Sequence, residues 1–327
     1  MYIFSRRGGS GMAMTMEQLA EQRKIEQNRE LKERLLQLKK ERNAIILAHY
    51  YQRDEIQEVA DFRGDSFLLA QKAAQTDADV IVFCGVHFMG ESAKILAPNK
   101  IVLVPDERAG CPMADMANVE GLLELKRKHP NAKVVTYINS SAEVKSVTDI
   151  CCTSSNAVKV VQSLDTDEII FCPDKNLGRY VQQFTDKKMI LWEGYCNTHD
   201  MLTLRDVEEM RAKYPNAQFV VHPECRPEVV AQADFVGSTT AILKYCKESD
   251  CQEFIVGTED GTGYQLRLDS PHKTFHFASK FLVCPNMKVN NLKKVVRCLE
   301  TMQPQIYVPP EVADKARVAL ERMLQVQ

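Results

Sequence analysis

Three cysteines of the 327-residue chain stand at one recurring kind of position, where an apolar segment ends and a new loop or helix begins. The segments read "VLVPDERAGC", "ILWEGYC" and "FLVC", and they end at Cys111, Cys196 and Cys284. Thiolates are good ligands for zinc and for iron–sulfur clusters. Three sulfurs at equivalent positions therefore indicate one shared metal centre, provided that the fold brings them together.

The other eight of the eleven cysteines do not recur in this way. Free cysteine is among the residue types most often buried in folded proteins, so we predict burial for them. An odd number of cysteines in a chain that we expect to be cytoplasmic also argues against a disulfide framework. These eight residues are Cys84, Cys151, Cys152, Cys172, Cys225, Cys246, Cys251 and Cys298.

The elements that must position the three cysteines form a threefold internal repeat. Asn-Ala turns begin at Asn43, Asn131 and Asn216, with spacings of 131 − 43 = 88 and 216 − 131 = 85 residues. Each turn follows a charged helix end and precedes a β-rich apolar strand. The cysteines lie 111 − 43 = 68, 196 − 131 = 65 and 284 − 216 = 68 residues after these asparagines. This period suits a small α/β domain and is too long for a solenoid.

Strands that alternate with helices across short turns predict parallel βαβ units with helices on both faces of the sheet. We therefore predict three homologous three-layer α/β/α domains with parallel sheets, arranged around a pseudo-threefold axis. The predicted units are a disordered extension over 1–15, an N-terminal helix plus the first repeat over 16–131, the second repeat over 132–215, and the third repeat plus C-terminal helices over 216–327.

Polar residues recur at the carboxyl ends of the predicted strands, where parallel sheets form their ligand crevices. Six residues after the asparagines stand His49, Tyr137 and His222, and twenty-three residues after them stand Ser66, Ser154 and Thr239. The hydroxyl groups of this second set and of Ser238 fall where helices should begin, so with backbone N–H groups they could bind carboxylates and phosphate. The alternative for each hydroxyl is an ordinary helix N-cap.

Four residues are candidates for acid–base catalysis: His49, Tyr51, His222 and Glu224. Histidine titrates near physiological pH, and a carboxylate in a semi-buried cleft can be tuned toward neutrality. Tyr51 and Glu224 each lie two residues beyond a strand-end histidine, so an extended chain would place them on the same side. The assignment of individual proton transfers stays open.

The kind of metal centre follows from the number of thiolates. A structural zinc site normally has four ligands, commonly from Cys-x-x-Cys pairs, which the sequence lacks. Three thiolates from distant loops better suit a [4Fe-4S] cluster, which keeps one iron open to act as a Lewis acid on a substrate. His199, three residues after Cys196, is either a fourth ligand or a neighbouring hydrogen-bonding group.

Composition excludes several classes of partner. The formal net charge is −2 and the pI is near 6.4, so there is no basic excess to attract nucleic acid or anionic membranes. No apolar run approaches the ~18 residues of a transmembrane span. We expect a cytoplasmic protein that acts on small molecules.

Two prominent segments receive no chemical role. The stretch from Met16 to Arg42 carries Leu31, Leu35 and Leu38 at helical spacing, which predicts an amphipathic surface helix covering the core. The segment "GTEDGTG" lacks the lysine of a P-loop and the spacing of a dinucleotide fingerprint, so we interpret it as a flexible turn near the pocket mouth.

Taken together, the motifs of the region from Asn43 to Arg297 resemble those of the NadA family of quinolinate synthases. The motifs are "AHYYQ", "GDSF", "GCPMADM", "TYINSSAEVK", "CTSSNAV", "CPDKNLG", "WEGYC", "HPEC", "GSTTA" and "GTEDG". The resemblance implies condensation of iminoaspartate with dihydroxyacetone phosphate to quinolinate, phosphate and water, on the route to NAD. It also implies a [4Fe-4S] cluster on Cys111, Cys196 and Cys284, and a functional link to an iminoaspartate-producing enzyme. The residues that it implies in substrate contact are His49, Ser66, Tyr137, Asn139, Ser154, His222, Glu224 and Thr239.

The sequence differs from the pattern of some family members at one place. Some family members carry a Cys-x-x-Cys-x-x-Cys run near the last ligand, where this sequence reads "CPNMKVNN". A redox-switching disulfide is therefore not expected there. Three rival functions stay open at this point: an iron–sulfur hydro-lyase for another small acid, a non-catalytic iron–sulfur sensor or carrier, and a zinc-stabilised binding protein.

Overall fold

Helices and strands alternate along the chain in a computed structural model, which describes residues 16–326 and the side chains from residue 25 onward. The extension predicted for residues 1–15 lies outside the described residues. The elements of the first repeat are α1 (Met16–Glu41), β1 (Ala44–His49), α2 (Asp54–Val59), β2 (Phe62–Gly64), α3 (Ser66–Gln75), β3 (Val80–Cys84), α4 (His87–Leu96), β4 (Ile101–Leu103) and α5 (Pro112–Met116).

The second and third repeats have the same order of elements. The second contains α6 (Val119–Lys128), β5 (Lys133–Tyr137), α7 (Ala142–Ser146), β6 (Ile150–Cys152), α8 (Ala157–Ser163), β7 (Glu168–Cys172), α9 (Lys175–Gln182) and β8 (Lys188–Leu191). The third contains α10 (Leu204–Lys213), β9 (Gln218–Val221), α11 (Pro227–Val230), β10 (Phe235–Val236), α12 (Thr239–Glu248), β11 (Glu253–Gly257), α13 (Thr262–Asp269) and β12 (Thr274–Phe277). Helices α14 (Leu292–Thr301) and α15 (Pro310–Gln325) follow, and short 3-10 helices span His199–Met201 and Met287–Val289.

The three sheets share one topology. Each has four parallel strands, in the orders β2-β1-β3-β4, β6-β5-β7-β8 and β10-β9-β11-β12. The register between the two central strands is also the same. In each sheet, the residue three positions after the asparagine of the Asn-Ala turn pairs with the residue 36 positions later in the chain. The equivalent pairs are Ile46 with Val82, Val134 with Ile170, and Phe219 with Ile255. The predicted α/β class and threefold repeat are confirmed.

Each sheet has a short edge strand that the sequence patterns did not predict. The edge strands β2, β6 and β10 contain three, three and two residues. The patterns of these hydroxyl-rich segments predict only the start of a helix, and strands of this length show no readable alternation. An aspartate just before each edge strand accepts a hydrogen bond from the first strand of the same sheet. The bonds join Ile46 N to Asp61 (2.8 Å), Val134 N to Asp149 (2.8 Å) and Phe219 N to Asp234 (2.7 Å).

The terminal helices cover the first two repeats. Leu35 and Leu38 of α1 are buried against the first sheet together with α14, which confirms the predicted amphipathic helix. Helix α15 packs on α7, β6 and α4, and its buried Ala316 and Leu320 join the core that the first and second sheets share. Among the described helices, none combines the length and apolar character that crossing a bilayer requires.

Candidate active site

The carboxyl ends of strands from all three sheets border one cavity of about 150 Å³. This position follows from the topology, because parallel strands in one sheet end at the same edge. Every residue singled out from the sequence for catalysis, substrate contact or metal binding lines this cavity except Ser238. The lining residues from that set are His49, Tyr51, Ser66, Cys111, Tyr137, Asn139, Ser154, Cys196, His222, Glu224, Thr239 and Cys284.

Ser238 is the N-cap of α12 and does not line the cavity. Its Oγ accepts a hydrogen bond from the backbone N–H of Ala241 at 3.3 Å, and the residue is buried. The ordinary capping role is therefore sufficient to explain Ser238. Helix α3 is capped in the same way by Asp65, and Ser66 is the first residue of that helix.

The three recurring cysteines are placed by equivalent hydrogen bonds. In each repeat, the residue two positions before the cysteine has a backbone carbonyl that accepts a hydrogen bond. The donor is the backbone N–H of the residue that lies 44 positions after the asparagine of the Asn-Ala turn. The bonds run from His87 N to Ala109 O (2.7 Å), from Lys175 N to Gly194 O (2.8 Å) and from Asp260 N to Leu282 O (2.8 Å). The fold therefore presents Cys111, Cys196 and Cys284 to the cavity in the same way.

These three thiols line the same cavity, and burial raises the pKa of each. Burial raises the pKa of Cys111 to about 12, and the neighbouring Cys284 adds to this effect. Burial also raises the pKa values of Cys196 and Cys284, and Cys111 contributes to the increase at Cys196. Metal binding at the site would displace these protons, because thiolates rather than thiols are the ligands.

The remaining cysteines fit the predicted burial in all but one case. All eleven cysteines are free thiols, and seven of the eight that do not line the cavity are buried. Cys251 is the exception, since it is only half buried and its thiol donates to the carbonyl of Glu253 at 3.2 Å. The predicted burial of Cys251 is therefore wrong, because the residue lies in the short turn between α12 and β11.

A chain of hydrogen bonds crosses the wall of the cavity and joins the three repeats. Glu224 Oε2 lies 2.7 Å from His199 Nδ1, and His199 Nε2 lies 2.9 Å from Thr258 Oγ1. Thr258 Oγ1 lies 2.9 Å from the phenol oxygen of Tyr51, which is also 2.8 Å from Thr239 Oγ1. A carboxylate is thus connected to a tyrosine phenol through one imidazole and one hydroxyl.

His199 occupies the centre of this chain. Its Nδ1 is also 3.3 Å from Cys196 Sγ, and the ligand atoms of Cys196, His199 and Glu224 lie within 4.8 Å of one another. Such a group could hold a metal ion. Both ring nitrogens of His199 already have protein partners, however, which favours a hydrogen-bonding role over that of a fourth metal ligand.

The two strand-end histidines are held as neutral rings. Burial lowers the pKa values of His49 and His222 to about 3. His49 Nδ1 accepts the backbone N–H of Tyr51 at 3.1 Å, and His222 Nδ1 accepts that of Glu224 at 3.3 Å. In each ring the proton is therefore on Nε2. The Nε2 of His222 lies 3.2 Å from Ser154 Oγ, to which it donates a hydrogen bond.

Glu224 remains ionised in this buried setting. Burial opposes its ionisation, but the hydrogen bond with His199 Nδ1 at 2.7 Å favours the carboxylate and holds its pKa below the usual value. Its Oε1 has no hydrogen-bond partner among the described residues, and the same is true of Asn139 Oδ1. Both orphan oxygens belong to residues that line the cavity, and they are available to a bound ligand.

The segment "GTEDGTG" forms a turn beside the cavity, as predicted, but its buried side chains do not fit a flexible segment at the mouth. Thr258 and Glu259 are fully buried, and Glu259 lines the cavity. Glu259 accepts the backbone N–H of Gly261 at 2.8 Å and that of Cys284 at 3.0 Å. Glycine content suggested an exposed loop, whereas the polar side chains find buried partners that no local pattern reveals.

Comparison with known proteins identifies the family of the chain. The family model described as quinolinate synthetase A protein matches residues 33–325. The chain belongs to this family. It is 55% identical over 296 residues to the quinolinate synthase of Geobacter metallireducens, covering 90% of this chain and 97% of that protein. It is 55% identical over 301 residues to quinolinate synthase 1 of Methanosarcina acetivorans, covering 92% and 99%.

A third relative is similar to the same extent. The chain is 57% identical over 296 residues to the quinolinate synthase of Geobacter sp. strain M21, covering 90% of this chain and 97% of that protein. The resemblance seen in the sequence motifs is thus confirmed, and the chain is a member of an enzyme family. The roles of the individual cavity residues stay predictions.

Proposed function

We propose that the chain is a cytoplasmic quinolinate synthase that condenses iminoaspartate with dihydroxyacetone phosphate to form quinolinate, phosphate and water for NAD synthesis. The observation that carries this proposal is the meeting of three equivalent cysteines with the strand-end histidines, tyrosines and hydroxyls at one cavity. Membership of the family supports it. Eleven free thiols also suit a reducing compartment.

The donor set fits a [4Fe-4S] cluster. Cys111, Cys196 and Cys284 would hold it, because they are the three cysteines that line the cavity and each comes from a different repeat. Three thiolates leave one of four irons without a protein ligand. When bound, the cluster would supply a Lewis acid that can coordinate a substrate hydroxyl or carboxylate.

Substrate anions would be bound by hydroxyl groups and helix N-termini rather than by cations. Thr239 is the first residue of α12, a ten-residue helix, so its backbone N–H group lies at the positive end of a helix dipole. Ser66 contributes its hydroxyl group, because the Asp65 carboxylate already accepts the N–H groups of Phe67 and Leu68 at the start of α3. Ser154 adds a hydroxyl from the second repeat, and the Asn139 side chain supplies an amide. This arrangement accepts carboxylate and phosphate without a net positive pocket.

The protons would be handled by the hydrogen-bonded chain from Glu224 to Tyr51. Burial raises the pKa of Tyr51 well above its usual value, so the phenol is protonated and can donate a proton. Thr258 and His199 connect the phenol to the ionised Glu224, so a proton that Glu224 takes from the substrate can replace, through His199 and Thr258, the proton that Tyr51 donates to it. Neutral His49 and His222 add N–H donors that can stabilise developing negative charge.

A functional link to an iminoaspartate-producing enzyme belongs to the same proposal. An imine hydrolyses in water, so the substrate would have to reach the cavity soon after it forms. The cavity is bordered by all three repeats, which suits protection of such a substrate from solvent once it is bound.

The hydroxyl of Thr258 is expected to be necessary for rapid turnover. Thr258→Val removes the link between His199 and Tyr51 while keeping the shape of the side chain. We expect kcat to fall by about 10²-fold, the lower end of the range for acid–base contributions, with little change in KM. Thr258→Ser restores the hydroxyl and should recover most of kcat. Equal losses in both variants, or a loss confined to KM, would contradict the proton-transfer role.

The reaction itself is tested by direct assay. Protein reconstituted with iron and sulfide under anaerobic conditions is mixed with dihydroxyacetone phosphate and with iminoaspartate generated in the same vessel, and quinolinate is measured by chromatography. Quinolinate that requires both substrates supports the proposal. A cluster-loaded protein that forms none, but dehydrates another small hydroxy acid, would favour a hydro-lyase instead.

A further inference from the structure

A fully buried carboxylate lies directly behind one of the proposed cluster ligands. Glu259 Oε1 accepts the backbone N–H of Cys284 at 3.0 Å, and Oε2 accepts that of Gly261 at 2.8 Å. The ammonium group of Lys288 lies 2.9 Å from Oε1 and is itself largely buried. The proton-transfer chain described above does not include either side chain.

The position of Glu259 recurs in the repeats. Glu259 lies 259 − 216 = 43 residues after the asparagine of the third repeat. The residues at the same distance from the asparagines of the first and second repeats are Val86 and Asp174. Asp174 is also fully buried, and the backbone N–H of Cys196 lies close to its carboxylate. Two of the three repeats therefore place a buried carboxylate beside the backbone of their own cysteine, and the first repeat has an apolar residue there.

Lys288 extends the contact to a different repeat. Its Nζ donates to the backbone carbonyl of Tyr51 at 2.8 Å and pairs with Asp260 at 2.8 Å as well as with Glu259. The backbone carbonyl of Lys288 in turn accepts a hydrogen bond from the Arg53 guanidinium at 2.7 Å. The loop that carries Cys284 is thereby tied to the segment that carries the catalytic candidate Tyr51.

This arrangement is sensitive to loss of either charge. A buried ion pair contributes little net stability compared with a neutral pair of the same shape, but removing Lys288 leaves the Glu259 charge uncompensated in the interior, and removing Glu259 leaves Lys288 paired only with the exposed Asp260. The displaced charge would disturb the Cys284 backbone or the Tyr51 carbonyl, because these groups are its other partners. Removing both charges together should disturb them much less.

We propose that Glu259 and Lys288 are positioning residues that form an interdomain clamp, holding the Cys284 loop against the Tyr51 segment so that the cluster is retained. This inference rests on the proposed cluster site and adds two residues to it. Groups that orient metal ligands typically change metal affinity by about 10- to 100-fold when they are mutated.

The test measures iron release rather than turnover. Reconstituted wild type, Glu259→Gln, Lys288→Met and the double variant are exposed anaerobically to a ferrous chelator, and release is followed by absorbance. The buffer and pH are the same for every protein compared. Lys273→Met is the matched control, since Lys273 is a buried lysine of the same repeat that donates to the Cys246 carbonyl at 2.7 Å and does not line the cavity.

We expect each single variant to release iron about 10- to 100-fold faster than wild type and the double variant to return most of the way to the wild-type rate. Lys273→Met should release iron at the wild-type rate even if its thermal unfolding midpoint falls. The clamp would be disproved by wild-type release from both single variants, by a double variant as fast as either single one, or by equal acceleration in Lys273→Met. If the wild type binds no cluster, the proposed function fails together with the clamp. If the wild type binds the cluster but the variants give one of these three results, only the clamp fails.

Discussion

Cys111→Ser, Cys196→Ser and Cys284→Ser are each expected to lose the iron–sulfur cluster and quinolinate formation. A cluster held by three thiolates has no spare protein ligand, and a serine oxygen is a poor replacement for a soft sulfur donor. Iron content after anaerobic reconstitution should fall from about four per chain to below about one in all three variants. The measurement is colorimetric iron and sulfide analysis combined with the visible absorption of the cluster.

The matched control is Cys251→Ser, which changes a half-buried cysteine outside the cavity. This variant should keep full iron content and activity. Retention of cluster and turnover in any one of the three ligand variants would show that the set of cysteines is wrong. Equal loss in Cys251→Ser would instead point to general sensitivity of the fold to cysteine replacement.

Glu224→Gln is expected to keep the cluster and lose most of the turnover. The amide has the same shape, but it cannot take up a substrate proton and pass it to His199, whose Nδ1 lies 2.7 Å from the carboxylate. Since general acid–base groups contribute about 10²–10⁴-fold, we expect kcat to fall within that range. Steady-state kinetics of the reconstituted variant, together with its iron content, measures this effect.

Glu253→Gln provides the comparison for Glu224→Gln. Glu253 also pairs with a histidine, His276, at 2.9 Å in the same repeat, but it lies at the amino-terminal end of β11 and away from the cavity. Its replacement should leave kcat unchanged. A Glu224→Gln variant with nearly normal kcat would remove the carboxylate from the proposed proton chain.

The internal repeat made most of the fold predictable from the sequence. Asparagine turns at constant spacing, strands followed by helices, and cysteines at equivalent ends fix parallel sheets whose polar strand ends must lie on one edge. His49, Tyr137 and His222 were found for this reason alone. The edge strands were missed, because two or three residues are too few for a periodic pattern.

The contacts between repeats were much less accessible to sequence reasoning. Thr258 joins His199 to Tyr51 across separations of 59 and 207 residues, and Lys288 reaches the Tyr51 carbonyl across 237 residues. Such contacts depend on side-chain direction after the domains have packed, and composition gives no indication of them. The same limit explains Glu259, where a glycine-rich segment proved to be a buried wall of the cavity.

The last helix illustrates this point on a larger scale. Helix α15 is amphipathic, and its sequence therefore predicts that one face is buried. It follows the third repeat in the chain, but its Ala316, Ala319 and Leu320 pack into the core of the first and second sheets. Hydrophobic periodicity identifies the buried face of a helix without identifying the surface that covers it.

The central claim, a [4Fe-4S] cluster on three cysteines with one iron open to the cavity, is tested most directly by metal and sulfide analysis of anaerobically reconstituted protein, followed by Mössbauer spectroscopy with and without a pyridine dicarboxylate. We predict about four irons and four sulfides per chain, with a ligand-induced change confined to about one iron in four. Zinc without sulfide, or a cluster spectrum that the dicarboxylate leaves unchanged, would contradict the account.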